Sequence, residues 1–314
     1  MPFLINTNVT ALNAANNLGV NSDNLNNDIA HLSSGLRINS AADDAAGLVI
    51  SNSLSAQDAG ITQATRNTND AINVVKTADS ALGQVSTLLT NIRQLVLHAA
   101  NVGANDPTAA AADKEAIRQA VNSIDRIANT TQFNNKNLLQ GNAGTTSGSS
   151  TSLTFQIGAN GGQTVQVAIG DARSLNLGNV TTTDTFTGAD GSATSFAAAQ
   201  SLSSLGGATP SLDITAGSNG NNAQEALQIV DNAINQVSTE QADLGAVQSN
   251  ELQTNVQSLA TAQTNTESSL SSIRDVDLAT EIVDYTKNQI LVQAGTSALS
   301  QANQAPQAIL KLLQ

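Results

Sequence analysis

Small and apolar residues recur at alternating steps of four and three over residues 61–100, and this stripe limits the possible folds more than any other feature of the chain. The spacing predicts one helix with a coiled-coil seam. At about 1.5 Å per residue that helix would be on the order of 60 Å long, too long for an element of a compact α/β domain. Pro107, with a glycine and an Asn-Asp pair before it, predicts where the helix has ended. The stripe consists of Ala64, Thr68, Ala71, Val75, Ala78, Leu82, Val85, Leu89, Ile92, Val96 and Ala99.

Both ends of the chain carry stripes with the same spacing but almost no charge. Before Arg37 the only charged residues are Asp23 and Asp28. After Lys287 the only one is Lys311. A helix whose remaining faces are uncharged is expected to contact protein on several sides. The first stripe is Leu4, Asn8, Ala11, Ala15, Leu18, Ser22, Leu25, Ile29, Leu32 and Leu36, and the last is Leu291, Gly295, Ala298, Ala302, Ala305, Ile309 and Leu312.

Such terminal helices are marginal in water on their own, because each stripe buries too little area to offset backbone ordering. The helical stretches at the two ends are similar in length, so the simplest arrangement is an antiparallel hairpin with both termini at one end. Its uncharged faces favour contacts between many copies in an open helical filament, with the ends unfolded until assembly. On spacing and composition alone, a monomeric bundle with frayed ends is an equal alternative. The residues predicted to carry polymerisation are Leu18, Leu25, Ile29, Leu32, Leu36, Ile290, Leu291, Ala298, Ala302, Ile309 and Leu312.

The middle of the chain has a different period. Apolar residues at 153–157 and 165–169 alternate with polar ones, which predicts a β-hairpin. Residues 178–222 show no strong period and many turn formers, which predicts a loosely structured, surface-exposed insert. Helical spacing precedes this region at 117–128 and returns at 223–237 and 252–273. The predicted fold is therefore mainly α: a long antiparallel helical coiled-coil rod with a small β-hairpin region and a short irregular outer insert.

Composition argues against several functions. The formal net charge of −13 disfavours nucleic acid or an anionic membrane as the main partner. No stretch approaches the roughly 20 apolar residues that span a bilayer, and the N-terminus lacks the pattern of a cleaved signal peptide. The chain has no cysteine, and His31 and His98 lie on different predicted helices, so no metal site is expected. Gly158–Gly162 joins two predicted strands, which favours a hairpin turn over a phosphate loop. Neither catalysis nor a cofactor is expected.

Five longer blocks of sequence stand out along the chain. They are LSSGLRINSAADDAAGLVIS at Leu32–Ser51, RNTNDAINVVKTADSAL at Arg66–Leu82, IDRIANTTQFNNKNLLQG at Ile124–Gly141, TFQIGANGGQTVQVAI at Thr154–Ile169 and IRDVDLATEIVDYTKNQILVQAGTSALSQANQAPQAILKLL at Ile273–Leu313. In this order the blocks resemble bacterial flagellin, the subunit of the flagellar filament. The similarity covers nearly everything except residues 178–222, and agreement over several ordered blocks is far more specific than any single motif.

The resemblance implies a layered organisation. Residues 1–42 with 273–314 would line the inner tube of a filament, 43–177 with 223–272 would form the surrounding shell, and 178–222 would project outward. It also implies a homo-polymer of many copies in an extracellular flagellum, secreted without a cleaved signal peptide. The implied partners are a filament cap protein, a hook–filament junction protein, a flagellar export chaperone and the export apparatus. A hook–filament junction adaptor, which has similar termini, is the alternative function.

The block around Arg37–Asp44 corresponds by the same resemblance to the junction between tube and shell. Arg37 is the first basic residue of the chain, and Asp43 and Asp44 form its first acidic pair. These charges would suit a polar clasp at the junction. Alternatively, the two aspartates begin the following helix, where its dipole favours them. The two interpretations are compatible.

Resemblance to flagellins also implies recognition by an innate immune Toll-like receptor through residues 89–98. The family's leucine matches Leu95, but its arginine position holds Asn91 and its glutamate position falls near Ala116, one residue from Glu115. Arg93 is a basic neighbour on a different face. Charge-assisted hydrogen bonds are each worth roughly 1.5–3 kcal/mol, so their loss predicts weak recognition, with Leu95 acting in packing.

Overall fold

The computed structural model describes residues 8–101, 106–141, 150–181, 184–187, 193–195, 199–206 and 221–312. These residues are mostly helical and contain three antiparallel strand pairs, which confirms the mainly α prediction. The helices are α1 Val9–Ser34, α2 Ala45–Ala99, α3 Pro107–Thr130, α4 Ser203–Gly206, α5 Asn221–Ala246, α6 Thr254–Arg274 and α7 Leu278–Leu312, with a π-helical segment Val247–Gln253 between α5 and α6. The strands are β1 Gln132–Phe133, β2 Lys136–Asn137, β3 Thr151–Gln156, β4 Thr164–Ile169, β5 Thr185–Thr187 and β6 Ala193–Ser195.

The chain separates into two compact units, which we call the terminal unit (residues 1–59 and 262–314) and the central unit (residues 60–261). The terminal unit extends beyond the expected inner-tube range of 1–42 with 273–314. At its N-terminal side the reason is local packing. The side chain of Ile38 is buried directly over Gly47 and leaves no room for a side chain there. The loop 35–44 and the first turns of α2 therefore belong to one compact unit.

The core of the central unit is built on the α2 stripe. All eleven stripe positions from Ala64 to Ala99 are buried, which confirms the predicted seam. The predicted face of α3 packs in the same cluster, as do apolar residues of α5 and of strand β4. Asp106 caps α3 by accepting hydrogen bonds from the backbone N–H groups of Thr108 and Ala109, at 2.9 and 2.8 Å. Pro107 follows at the first helical position, where a residue without an N–H is tolerated.

Strands β3 and β4 form the predicted antiparallel hairpin, with Leu153 opposite Val167 and Phe155 opposite Val165. A second hairpin, β1–β2, was not predicted because each of its strands has only two residues. Its two-residue turn is Asn134–Asn135, both with positive φ (45° and 66°). Asparagine is among the few residues other than glycine that adopt this backbone conformation readily.

The prediction that 178–222 is a surface-exposed insert is wrong for part of that stretch. Val180, Leu202 and Leu205 are buried in the core of the central unit. The backbones of Val180 and Gln200 exchange hydrogen bonds, which hold the two ends of the intervening segment together. These apolar residues are too far apart in the sequence to show a period, so their burial could not be read from spacing. Residues 182–183, 188–192, 196–198 and 207–220 lie outside the described part of the chain.

Candidate polymerisation surface

Helices α1 and α7 of the terminal unit pack against each other as an antiparallel pair. Both ends of α1 are capped. At its start the Asn8 side chain accepts from the Ala11 N–H at 3.1 Å, and at its end Gly35 adopts φ +73°. Successive contacts pair later residues of α1 with earlier residues of α7, as the hairpin prediction requires. They join Asn8 to Ala302, Leu18 to Gly295, Asp28 to Asn288 and His31 to Glu281.

This pair buries very little apolar surface. Among the described residues of the terminal unit, Ile38 is the only buried apolar side chain. The leucines of α1 that face α7 remain partly exposed. Helical stability in proteins comes mainly from packing of an apolar face, so a pair with so little burial is weak in an isolated subunit.

The same unit exposes many large apolar side chains. In the described part of the central unit only Leu97 and Leu175 are exposed in this way. The described part of the terminal unit therefore exposes more large apolar side chains than it buries, whereas an ordinary soluble domain buries most of them. Its exposed large apolar residues are Val9, Leu12, Val20, Ile29, Val49, Ile50, Leu278, Ile282, Val283, Ile290 and Leu291.

The predicted polymerisation residues divide into two groups. One group is half-buried and the other is exposed, while the side chains of Ile309 and Leu312 lie outside the described residues. The sequence spacing had placed Ile29 in the contact between α1 and α7. In the structure the neighbouring Asp28 is buried there and Ile29 is exposed. The half-buried residues are Leu18, Leu25, Leu32, Leu36 and Ala302, and the exposed ones are Ile29, Ile290, Leu291 and Ala298.

A backbone clasp joins the end of α1 to the segment between α6 and α7. The Arg37 N–H donates to the carbonyl oxygen of Arg274 at 2.7 Å, and the Val276 N–H donates to that of Gly35 at 3.1 Å. The guanidinium of Arg37 adds a third hydrogen bond, from Nη2 to the carbonyl oxygen of Ile273 at 2.5 Å. Arg37 therefore joins the two segments through backbone oxygens, whereas the sequence had suggested a clasp with the two aspartates.

Asp43 and Asp44 have different roles in the loop that follows. Asp44 caps α2 by accepting from the N–H groups of Ala46 and Gly47 at 3.0 and 2.9 Å. Asp43 Oδ2 accepts from the Ser40 and Asn39 N–H groups at 2.8 and 3.0 Å. These hydrogen bonds, that of Ser40 first, lower the pKa of the Asp43 carboxyl below its usual value.

Within the ranges that the structure describes, no group of three or more histidine and acidic side chains could hold a metal ion. In the same ranges, no helix is both long and apolar enough to cross a bilayer.

Family comparisons cover both ends of the chain. Residues 5–144 match the bacterial flagellin N-terminal helical region, and residues 227–313 match the bacterial flagellin C-terminal helical region. The chain belongs to the bacterial flagellin family. Flagellins are the structural subunits of the flagellar filament outside the cell, and this chain is such a subunit.

Full-length relatives agree with this assignment. The flagellin of Bacillus subtilis (strain 168) is 40% identical over 316 residues, which cover 98% of this chain and 99% of the relative. The flagellin of Halalkalibacterium halodurans is 37% identical, with 99% and 100% of the two chains covered. The flagellar filament 30.7 kDa core protein of Treponema maltophilum is 35% identical, with 99% and 100% covered. These relatives are flagellins or a filament core protein, and nothing favours the junction adaptor.

Of the residues that the family resemblance leads us to expect at a receptor-facing surface, Arg93, Leu95 and Glu115 are engaged within the chain. Arg93 Nε donates to Asp231 Oδ1 at 2.7 Å, and Leu95 is half-buried against the core of the central unit. Glu115 accepts two hydrogen bonds from Arg118, which lower the pKa of its carboxyl to about 2. Asn91 is exposed.

Proposed function

We propose that this flagellin polymerises through its terminal unit, and that the exposed apolar side chains of that unit become buried against other copies. The observation that carries this proposal is the imbalance within the unit. Eleven large apolar side chains are exposed among its described residues, and one apolar side chain is buried. A surface of this kind is unfavourable in water and is typical of an obligate interface.

The free energy gained by burying these exposed side chains would be large enough to drive assembly. Burying a fully exposed large aliphatic side chain contributes about 1.5–3 kcal/mol, so these partly exposed ones would each contribute roughly 1 kcal/mol, or on the order of 10 kcal/mol per subunit. Part of this sum is lost in fixing one copy against its neighbours and in ordering the terminal helices. The balance favours helices that become fully stable only in the filament.

Export is the second part of the proposal. The chain would leave the cell unfolded and without a cleaved signal peptide, and it would fold at the growing tip of the filament. The weak α1–α7 pair supports this, because a pair with little buried area is readily unfolded for transport. The proposed partners are a filament cap protein, a hook–filament junction protein, an export chaperone that holds the C-terminal helices, and the export apparatus.

Recognition by a Toll-like receptor is proposed to be weak. The arginine position of the family's recognition stretch holds Asn91, which carries no charge. The basic side chain nearest in sequence, Arg93, is already paired with Asp231, and Glu115 is paired with Arg118.

The polymerisation proposal is tested by comparing the full chain with a variant that lacks residues 1–42 and 273–314. Both proteins would be incubated with short filament seeds and examined by sedimentation and electron microscopy. We expect filaments from the full chain and soluble, folded monomers from the shortened one. Filaments from the shortened protein, or protease-resistant terminal helices in full-length monomers that never assemble, would contradict the proposal.

A further inference from the structure

A partly buried hydrogen bond lies in the seam between α1 and α7. Asp28 is the only buried residue of α1, with 9% of its surface exposed. The Asn288 side-chain amide of α7 donates to its Oδ2 at 2.7 Å. In a unit with so little apolar burial, this contact joins the one buried residue of α1 to α7. A buried polar pair of this kind is the best-attested device for fixing the alignment of paired helices.

The apolar part of the seam does not specify one alignment. Leu18, Leu25 and Leu32 follow one another at intervals of seven, so a slide of one helix by seven residues places each leucine where its neighbour had been. On the α7 side Gly295 lies opposite Leu18, and the half-buried Tyr285, Val292 and Leu299 also follow one another at intervals of seven. Aliphatic contacts are non-directional, and they would be nearly as favourable after such a slide as before it.

The polar pair distinguishes these alignments. A slide of seven residues places Asp28 beside Gly295 in one direction and beside Glu281 in the other. Beside Gly295 the carboxylate has no donor, and beside Glu281 it faces a second carboxylate. A buried acceptor without a partner costs its full desolvation, and like charges repel. Both alternatives are therefore disfavoured by the same residue.

We propose that Asp28 and Asn288 fix the register of α1 against α7, and thereby select the alignment that presents the apolar faces of the terminal unit correctly to neighbouring copies. This inference rests on the proposed function, because register matters only if those faces are an interface. His31 and Glu281 form a second polar contact at 3.0 Å near the end of the pair. Its two side chains are only 18% and 15% exposed, so this contact favours the same register near the end of the pair, and the variants described below leave it in place.

The register can be measured directly because the chain contains no cysteine. A Cβ placed at Gly295 would lie 3.7 Å from the Cβ of Leu18, within the range of disulfides. Leu18→Cys with Gly295→Cys thus reports the observed register. Leu25→Cys and Ala11→Cys, each combined with Gly295→Cys, report a slide of seven residues in either direction. Disulfides would be formed in assembled filaments and mapped by proteolysis and mass spectrometry.

The decisive variant replaces both partners, Asp28→Leu with Asn288→Leu. We expect the 18–295 disulfide to lose its preference over the two shifted ones by roughly tenfold, with fewer or irregular filaments although helix content is kept. Exchanging the partners, Asp28→Asn with Asn288→Asp, should restore the original preference. The matched control, Asn27→Leu with Gln289→Leu, changes the exposed neighbours of the pair and should leave the register unaltered.

The outcomes separate the two proposals. If the double leucine variant assembles normally and forms only the 18–295 disulfide, the register inference is wrong and polymerisation stands. If the cysteine-free chain itself forms no filaments, the proposed function fails. Failure of the exchanged pair to restore the register would show that Asp28 acts by its bulk or position and would also overturn the inference.

Discussion

Gly178 lies directly against the carbonyl oxygen of Ile229 in α5. A Cβ at Gly178 would overlap that oxygen and would approach the Cβ of Ala233 to 3.2 Å. The glycine has φ +68°, and its N–H donates to Gln236 Oε1 at 3.2 Å. The turn that follows β4 is thus held close to α5 by a residue without a side chain, and Leu177 beside it enters the core.

Gly178→Ala is therefore expected to destabilise the central unit by roughly 2–4 kcal/mol, since the positive φ and the overlap each add strain. Urea unfolding of the full-length monomer, followed by circular dichroism, measures this change. Gly161→Ala is the control, because a Cβ there meets nothing within 4 Å and its backbone is not in the left-handed region. Equal effects of the two substitutions would contradict the packing argument.

The most regular features of the sequence were the most predictable ones. The α2 stripe predicted eleven buried positions, because burial along a long helix repeats with the helical period. Alternation predicted β3 and β4 for a similar reason. The α1–α7 seam was harder to predict, because its residues are small or polar and a one-position displacement exchanges Ile29 for Asp28. A buried carboxylate whose partner is 260 positions away leaves no local signal.

Other structural features were not predicted for different reasons. The π-helical segment Val247–Gln253 carries no glycine or proline to mark it, and its one buried residue, Leu252, also fits an ordinary helical period. Leu202 and Leu205 enter the core from a stretch dominated by turn formers. In these cases tertiary packing decides the structure, and the nearby sequence does not show it.

Ile290 provides a point test of the polymerisation surface, because 65% of its surface is exposed in the isolated chain. Ile290→Glu should leave the helix content and unfolding of the monomer unchanged. In a filament it would place a charge in a buried apolar contact, so the critical concentration for assembly should rise at least about tenfold. Ile290→Leu keeps the apolar area and should assemble like the original chain. Normal assembly of the glutamate variant would exclude Ile290 from the interface.

The Glu240 side chain should make stability depend on pH. Burial raises the pKa of its carboxyl above the usual value, although the Gly170 N–H donates to it at 2.7 Å. The folded chain then binds this proton more tightly than the unfolded chain does. Its contribution to stability is present below the unfolded-state pKa, near 4.5, and is lost as pH rises through the higher folded-state pKa.

Glu240→Gln removes this dependence while keeping an acceptor for the Gly170 N–H. The variant should gain stability over the original chain progressively between pH 4 and pH 7, as measured by urea unfolding at each pH. Glu251→Gln, at an exposed position, controls for the loss of one negative charge. A constant difference between the Glu240 variant and the original chain across this range would show that burial of Glu240 does not control its protonation.

Receptor recognition can be tested by supplying the charges that the resemblance leads us to expect. Asn91→Arg with Ala116→Glu would place an arginine and a glutamate at the family's positions without disturbing the Arg93–Asp231 or Glu115–Arg118 pairs. Charge-assisted hydrogen bonds are strong enough that monomers of this variant should activate Toll-like receptor reporter cells at about tenfold lower concentration than the original chain. Asn91→Gln, which adds length without charge, should have little effect. If the original chain already activates the receptor as strongly as the double variant, the absent charges are not what limits recognition.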